Sequence, residues 1–164
     1  MQEIKGWGGI HGGMKLTEYE KEKTKEGNEY QDFICDLFIK KFGISISNYT
    51  SKKWQYDIGE NRQGFEIKHD NILESTGNVF IEVAEKRNAE NKNYVPSGIY
   101  RNDNTWLYII GNYKEVFIFS KKTLQKIHEA KKYGPDIEID KKTAMGFLIP
   151  KKDAKTYCVK YIKV

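Results

Sequence analysis

The sequence predicts an α/β domain built on a mixed central β-sheet flanked by helices, and three observations predict it. An amphipathic helical stretch comes first, a series of short apolar or alternating segments follows, and a second helical stretch succeeds them. With 164 residues, the chain has the length of one domain with a real core, expected over 16–164. Charged residues at 31% and apolar ones at 38% strike a globular balance, which excludes a disordered chain.

The first 14 residues, MQEIKGWGGIHGGM, hold five glycines without periodicity, and 1–15 read as a flexible arm. His11 stands alone there and makes no metal site by itself. Apolar residues then recur at Tyr30, Phe33, Ile34, Leu37, Phe38 and Ile39, the spacing of a helix face. This helix begins at 17 or at 28, because Gly27 leaves its start open, and ends near 42. Lys40 and Lys41 suit its last turn and Gly43 its stop.

KWQYDIG and GFEIKHD read as a hairpin, with glycines bounding the turn at 59–63. NVFIEVAEK alternates as a third strand, TWLYIIGN is apolar enough for a central strand, and EVFIFS follows a turn at 111–114. SKKTLQKIHEAKKYG predicts the second helix, capped by Ser120 and stopped by Gly134. The C-terminal 20 residues alternate weakly, as edge strands or a short helix would.

No apolar run approaches the length of a membrane span, and no signal-peptide pattern opens the chain. Cys35 and Cys158 are too few for a disulfide framework and lack the paired spacing of a zinc site. A cytoplasmic, reducing location without membrane contact is therefore expected. The net charge of +5 suits either a solvated lysine-rich surface or a polyanionic partner, and charge alone does not separate the two.

Strand parity sharpens the stretch QYDIGENRQGFEIKHD. Glu66 and Lys68 leave one face of their strand, while Phe65 and Ile67 leave the other for the core. Asp57 on the preceding strand can stand beside Glu66. In the third strand Val79, Ile81 and Val83 share a face, so Glu82 is presented opposite them with Phe80 and Ala84. Glu29 can close the cluster from the first helix. An isolated Glu-x-Lys triplet is usually a solvated ion pair. Clustered carboxylates, however, repel unless a cation intervenes, and hard Mg²⁺ or Mn²⁺ prefers oxygen ligands. Such an ion on Asp57 and Glu66 would polarise a phosphate and acidify a bound water, with Lys68 orienting the water or stabilising the transition state.

Asp57 followed by Glu66-Ile67-Lys68 resembles the motif of the PD-(D/E)XK nuclease superfamily. The resemblance spans roughly 20–130 and implies a restriction-endonuclease-like core of helix, three-stranded meander, helix and further strand. It implies Mg²⁺-dependent (or Mn²⁺-dependent) endonucleolytic cleavage of DNA. Asp57 and Glu66 would be metal ligands, the Ile67 carbonyl a third, and Lys68 would lie near the attacking water. Glu29 and Glu82 would be secondary metal or water-positioning groups. TGNVFIEVAEKRN and VPSGIYRNDNTWLYII look like phage-type members, which carries over Ser97 and Gly98 as site or structural positions; for a viral chain the location would be the host cell. Two features depart from the pattern: Tyr56 and not Pro precedes Asp57, a change that many superfamily members tolerate, and the spacing from Asp57 to Glu66 is short.

Lys86, Arg87, Lys92 and Arg101 are candidate DNA-phosphate contacts, with Lys121, Lys122, Lys126, Lys131 and Lys132 as a further basic surface. His69 belongs to the core-side face of its strand, and His128 reads as an ordinary boundary residue. A homodimer is an option, since two sites cut two strands. The alternatives are a catalytically inactive nucleic-acid-binding module of the same fold and a basic interaction protein with an acidic partner.

Overall fold

The computed structural model describes residues 17–139 and 141–164, so the expected N-terminal arm lies outside the described residues. Helix α1 (Glu18–Phe42) begins with a capping box. The Thr17 hydroxyl accepts from the Glu20 amide at 3.2 Å, and the Thr17 amide donates to the Glu20 carboxylate at 2.7 Å. That cap starts the helix at the earlier of the two expected points and carries it through Gly27. Gly43, at φ +65°, closes it as expected.

After α1 come α2 (Lys52–Asp57), β1 (Phe65–His69), α3 (Leu73–Thr76), β2 (Asn78–Glu85) and β3 (Val95–Pro96). A 3-10 turn at Gly98–Tyr100 leads to β4 (Leu107–Gly111), β5 (Glu115–Ser120) and α4 (Lys121–Glu129). The chain ends with β6 (Ile137–Ile139), β7 (Ala144–Pro150), α5 (Lys151–Tyr157) and β8 (Lys160–Lys163). The fold is mixed α/β. Instead of one central sheet there are two four-stranded sheets, ordered β1-β4-β5-β8 and β3-β2-β7-β6. The first is mixed, because β1 runs parallel to β4 and the other neighbours are antiparallel. A parallel pair needs a long crossover, and residues 70–106 supply it by building β2 and β3 of the second sheet on the way.

Tyr30, Ile34, Leu37 and Phe38 of α1 pack on Phe65, Ile67, Ile109 and Ile118 of the first sheet. Each such fully buried side chain stabilises by about 1.5–3 kcal/mol, which secures a helix whose first half is mostly solvated. The opposite face of that sheet, with Tyr108, Ile110, Phe117 and Phe119, shares a core with Val79, Ile81, Val83, Phe147 and Ile149 of the second. Leu124 and Ile127 of α4 and Ala154 of α5 complete this core. The helix α4 ends at Glu129 and the chain turns through 131–133 before Gly134, so that glycine belongs to the turn and not to the helix stop.

Two expectations are corrected. The segment KWQYDIG is helical and not the first strand of a hairpin: Ser51 caps it by accepting from the Trp54 amide, and none of its helical residues is β-branched. The predicted third strand is present as β2 but lies in the other sheet, where β7 is its main partner. Among the described residues no helix is long and apolar enough to cross a membrane.

Candidate active site

Strand β1 is an edge strand, and its outer edge is satisfied by side chains. Asn61, fully buried, accepts from the Phe65 amide at 2.8 Å and donates to the Phe65 carbonyl at 2.6 Å, as a neighbouring strand would. The next amide along that edge, of Ile67, donates to Glu60 Oε2 at 2.8 Å. Gln31 on α1 donates its amide to the other Glu60 oxygen. The loop after α2 thus places a buried carboxylate beside the strand that carries Glu66 and Lys68.

The parity read from the sequence holds. Phe65 and Ile67 face α1, and the Lys68 ammonium meets Glu66 at 3.0 Å on the opposite face. Glu66 is buried while Lys68 is half-exposed. Glu82 reaches the same patch from β2, where Ser97 Oγ donates to it at 2.8 Å. The β2–β7 register shifts between Glu82 and Ala84, an irregularity of the kind that re-aims side chains beside functional sites. Gly98 (φ +52°) packs so closely that a Cβ would lie 2.1 Å from the Glu82 carbonyl oxygen, so the turn at 97–98 locks this part of β2.

Electrostatics tie the group together. Glu66 above all, then Glu82 and Glu60, raise the Lys68 amine above the ordinary lysine value against the opposing effect of its burial. Burial first and Glu66 second push the Glu60 carboxyl up to about 8. Tyr108, buried next to Glu66 and Lys68, is kept a neutral phenol by burial first and then by the Glu66 charge. Gln31, Lys52, Tyr56, Glu60, Lys68 and Arg101 are among the walls of an open cleft of about 260 Å³ over this cluster. Lys68 and Glu82 also line a second cavity, of about 360 Å³, between α1 and β2.

The other expected residues are distributed as follows. Asp57 ends α2, pairs with Lys53 at 2.6 Å and is not among the walls of the cleft. Glu29 is exposed on α1, 3.9 Å from Lys25, whereas Gln31 of α1 donates to Glu60. Ile67 lines the cleft. Arg101 lines it too, donating to the Tyr56 carbonyl at 3.1 Å and lying over the Tyr56 ring at 5.0 Å. Lys86 sits over the Tyr94 ring, and Arg87 and Lys92 are exposed in the loop after β2.

Lys121 is corrected from a surface cation. It donates to the Arg101 carbonyl at 2.6 Å and lies 3.5 Å from the buried Asp103 carboxylate. Lys122, Lys126, Lys131 and Lys132 are exposed. His69 points to the core side as expected and stacks on Tyr30 at 4.7 Å. His128 is more than a boundary residue: it joins the Tyr100 hydroxyl (2.7 Å) to Asp136 (3.0 Å) and stacks on Phe147.

Glu60, Gln31 and Tyr108 are the cluster residues that sequence reasoning missed. Tyr108 had a usable signal, because β4 pairs it with Glu66 and the central-strand pattern was plain. Glu60 and Gln31 had none, since each acts from a segment without strand periodicity.

No family model, curated protein or solved structure matches this chain.

The chemistry of the site therefore rests on its own residues. With Glu60 ionised, Glu60, Glu66 and Glu82 are set against Lys68, and Lys52 is the further cation that acts on Glu60. Among the described residues no three acidic, His or Cys side chains are gathered at metal-coordination distance; Glu66 is the carboxylate in contact with the Lys68 ammonium, and Glu82 and Glu60 act on it through their charge. The chemistry of the donor set is of the kind a hard divalent cation takes, since all its ligand atoms are carboxylate oxygens and burial with Glu66 alongside leaves Glu60 holding its proton to about 8.

Proposed function

We propose that the protein is a metal-dependent DNA endonuclease that hydrolyses phosphodiester bonds with Glu60, Glu66, Glu82 and Lys68. The observation that carries this reading is that Glu60, Glu66 and Lys68 line one open cleft with Lys52 and Arg101, while Glu82 adds its charge at Lys68 from the adjoining cavity. It keeps the Glu66-Ile67-Lys68 core of the superfamily resemblance and transfers the partner-acid role from Asp57 to Glu60. A Mg²⁺ or Mn²⁺ ion, when bound, would be held by Glu66 and Glu60 with help from Glu82, and would supply charge neutralisation at the phosphate. Lys68 holds the attacking water by hydrogen bonding and offsets charge that develops on the phosphoryl oxygens. Ser97 fixes the Glu82 rotamer, and Arg101 and Lys52 attract the polyanion to the cleft without regard to sequence.

The test is magnesium-dependent nicking of a supercoiled plasmid. Lys68→Ala and Glu60→Gln are expected to lose roughly 100-fold or more of the rate, while Asp57→Asn keeps it. Unchanged cleavage by folded Lys68→Ala and Glu60→Gln sinks the mechanism. Loss in Asp57→Asn alone returns the acid role to that residue. Salt-sensitive binding without any cleavage would favour an inactive nucleic-acid-binding module, and no affinity at low salt a basic protein that meets an acidic partner.

A further inference from the structure

Helix α2 buries none of its six residues, yet it carries two large aromatics, with Trp54 55% and Tyr56 72% exposed. A helix this short has little stability of its own in water. Here it is held at both ends: Ser51 caps its start, and the Arg101 guanidinium takes the carbonyls of Gln55 (3.4 Å) and Tyr56 (3.1 Å) at its finish. Arg101 also lies over one face of the Tyr56 ring at 5.0 Å, which gives the ring a cationic backing. Tyr56, Arg101 and Lys52 are walls of the same cleft as Glu60, Glu66 and Lys68. The fold thus spends bonds on presenting an exposed aromatic, backed by a cation, at the mouth of a site suited to phosphodiesters.

We propose that α2 and Arg101 form a stacking platform for an unpaired base, and that the substrate is DNA with a single-stranded segment rather than continuous duplex. This rests on the nuclease reading and adds the substrate class to it. A base in a continuous duplex has both faces covered by its neighbours, whereas an unpaired base offers a face to an aromatic ring. Positive charge around the ring suits the phosphates on either side of that base.

The measurement is fluorescence anisotropy of the full chain with a labelled oligothymidylate and with a duplex of the same length, in EDTA so that neither is cut. Tyr56→Ala is expected to weaken oligothymidylate binding roughly 5- to 150-fold and to leave duplex binding unchanged. Tyr56→Phe, which keeps the ring, is expected to bind both as the wild type does. Because Tyr56 is exposed, neither change threatens the fold. Unchanged oligothymidylate affinity in Tyr56→Ala, or an equal loss for both DNAs, overturns the platform alone. Failure of the wild-type chain to bind either DNA, both in EDTA and with Mg²⁺ present, overturns the platform together with the nuclease reading.

Discussion

A carboxyl group that titrates near 8 keeps its proton where an ordinary glutamate has lost it, and Glu60 is placed to do so. Its side chain is buried, Glu66 is close by, and the Ile67 amide and then the charges of Lys68 and Lys52 soften the penalty without removing it. Between the ordinary value of 4.5 and about 8 the folded chain therefore binds more protons than the unfolded chain. The stabilising contribution is complete below 4.5 and is lost as pH rises through about 8. Urea denaturation in EDTA should show wild-type stability falling across that window, by at most roughly 5 kcal/mol. Glu60→Gln cannot ionise there, so its stability should stay level over the same range. A parallel fall in both proteins would assign the titration to another group.

At the scale of the element, β1 shows what was legible in the sequence and what was not. The alternation Phe65-Glu66-Ile67-Lys68 follows from strand geometry alone, so the division into a core face and a polar face was readable. What pairs with the strand was not. Trp54 and Tyr56 sit at strand period, but both stay exposed in a capped helix, and propensity in so short a segment cannot decide between the two structures. The role foreseen for a hairpin partner falls to Asn61, whose amide copies the donor and acceptor of a backbone unit. A side chain doing a strand's work leaves no periodic trace. Asn61→Ala removes both bonds and leaves the buried Phe65 edge unpaired, which should cost about 2–3 kcal/mol in urea unfolding with an unchanged m-value. A loss under half a kcal/mol would show that the edge is held by other contacts.

At the scale of the whole molecule, the helix α1, the strands β4 and β5 and the polar face of β2 were all foreseeable from short-range pattern. Their assembly into two sheets was not, because the pairing of β2 with β7 joins segments some 65 residues apart, and no local pattern specifies such a partner. That assembly creates the cluster: Glu66 and Lys68 come from the first sheet, Glu82 from the second and Gln31 from α1, so the site exists only when all three layers are docked. A divalent cation that binds the cluster binds only the folded chain and must stabilise it by mass action. Under the nuclease reading, Mn²⁺ at a hundred times its dissociation constant should add about 2.7 kcal/mol and raise the melting temperature by several degrees. Removing the ion with EDTA should reverse the shift. Glu66→Gln should abolish it, because Glu66 is the carboxylate in contact with Lys68 and the main source of negative potential there. Glu29→Gln, an exposed change on α1 distant in role from the cluster, should leave the shift intact. An equal shift in both variants would mean that the cation is held elsewhere on the molecule, and an absent shift in the wild type would separate this cluster from divalent-ion chemistry altogether.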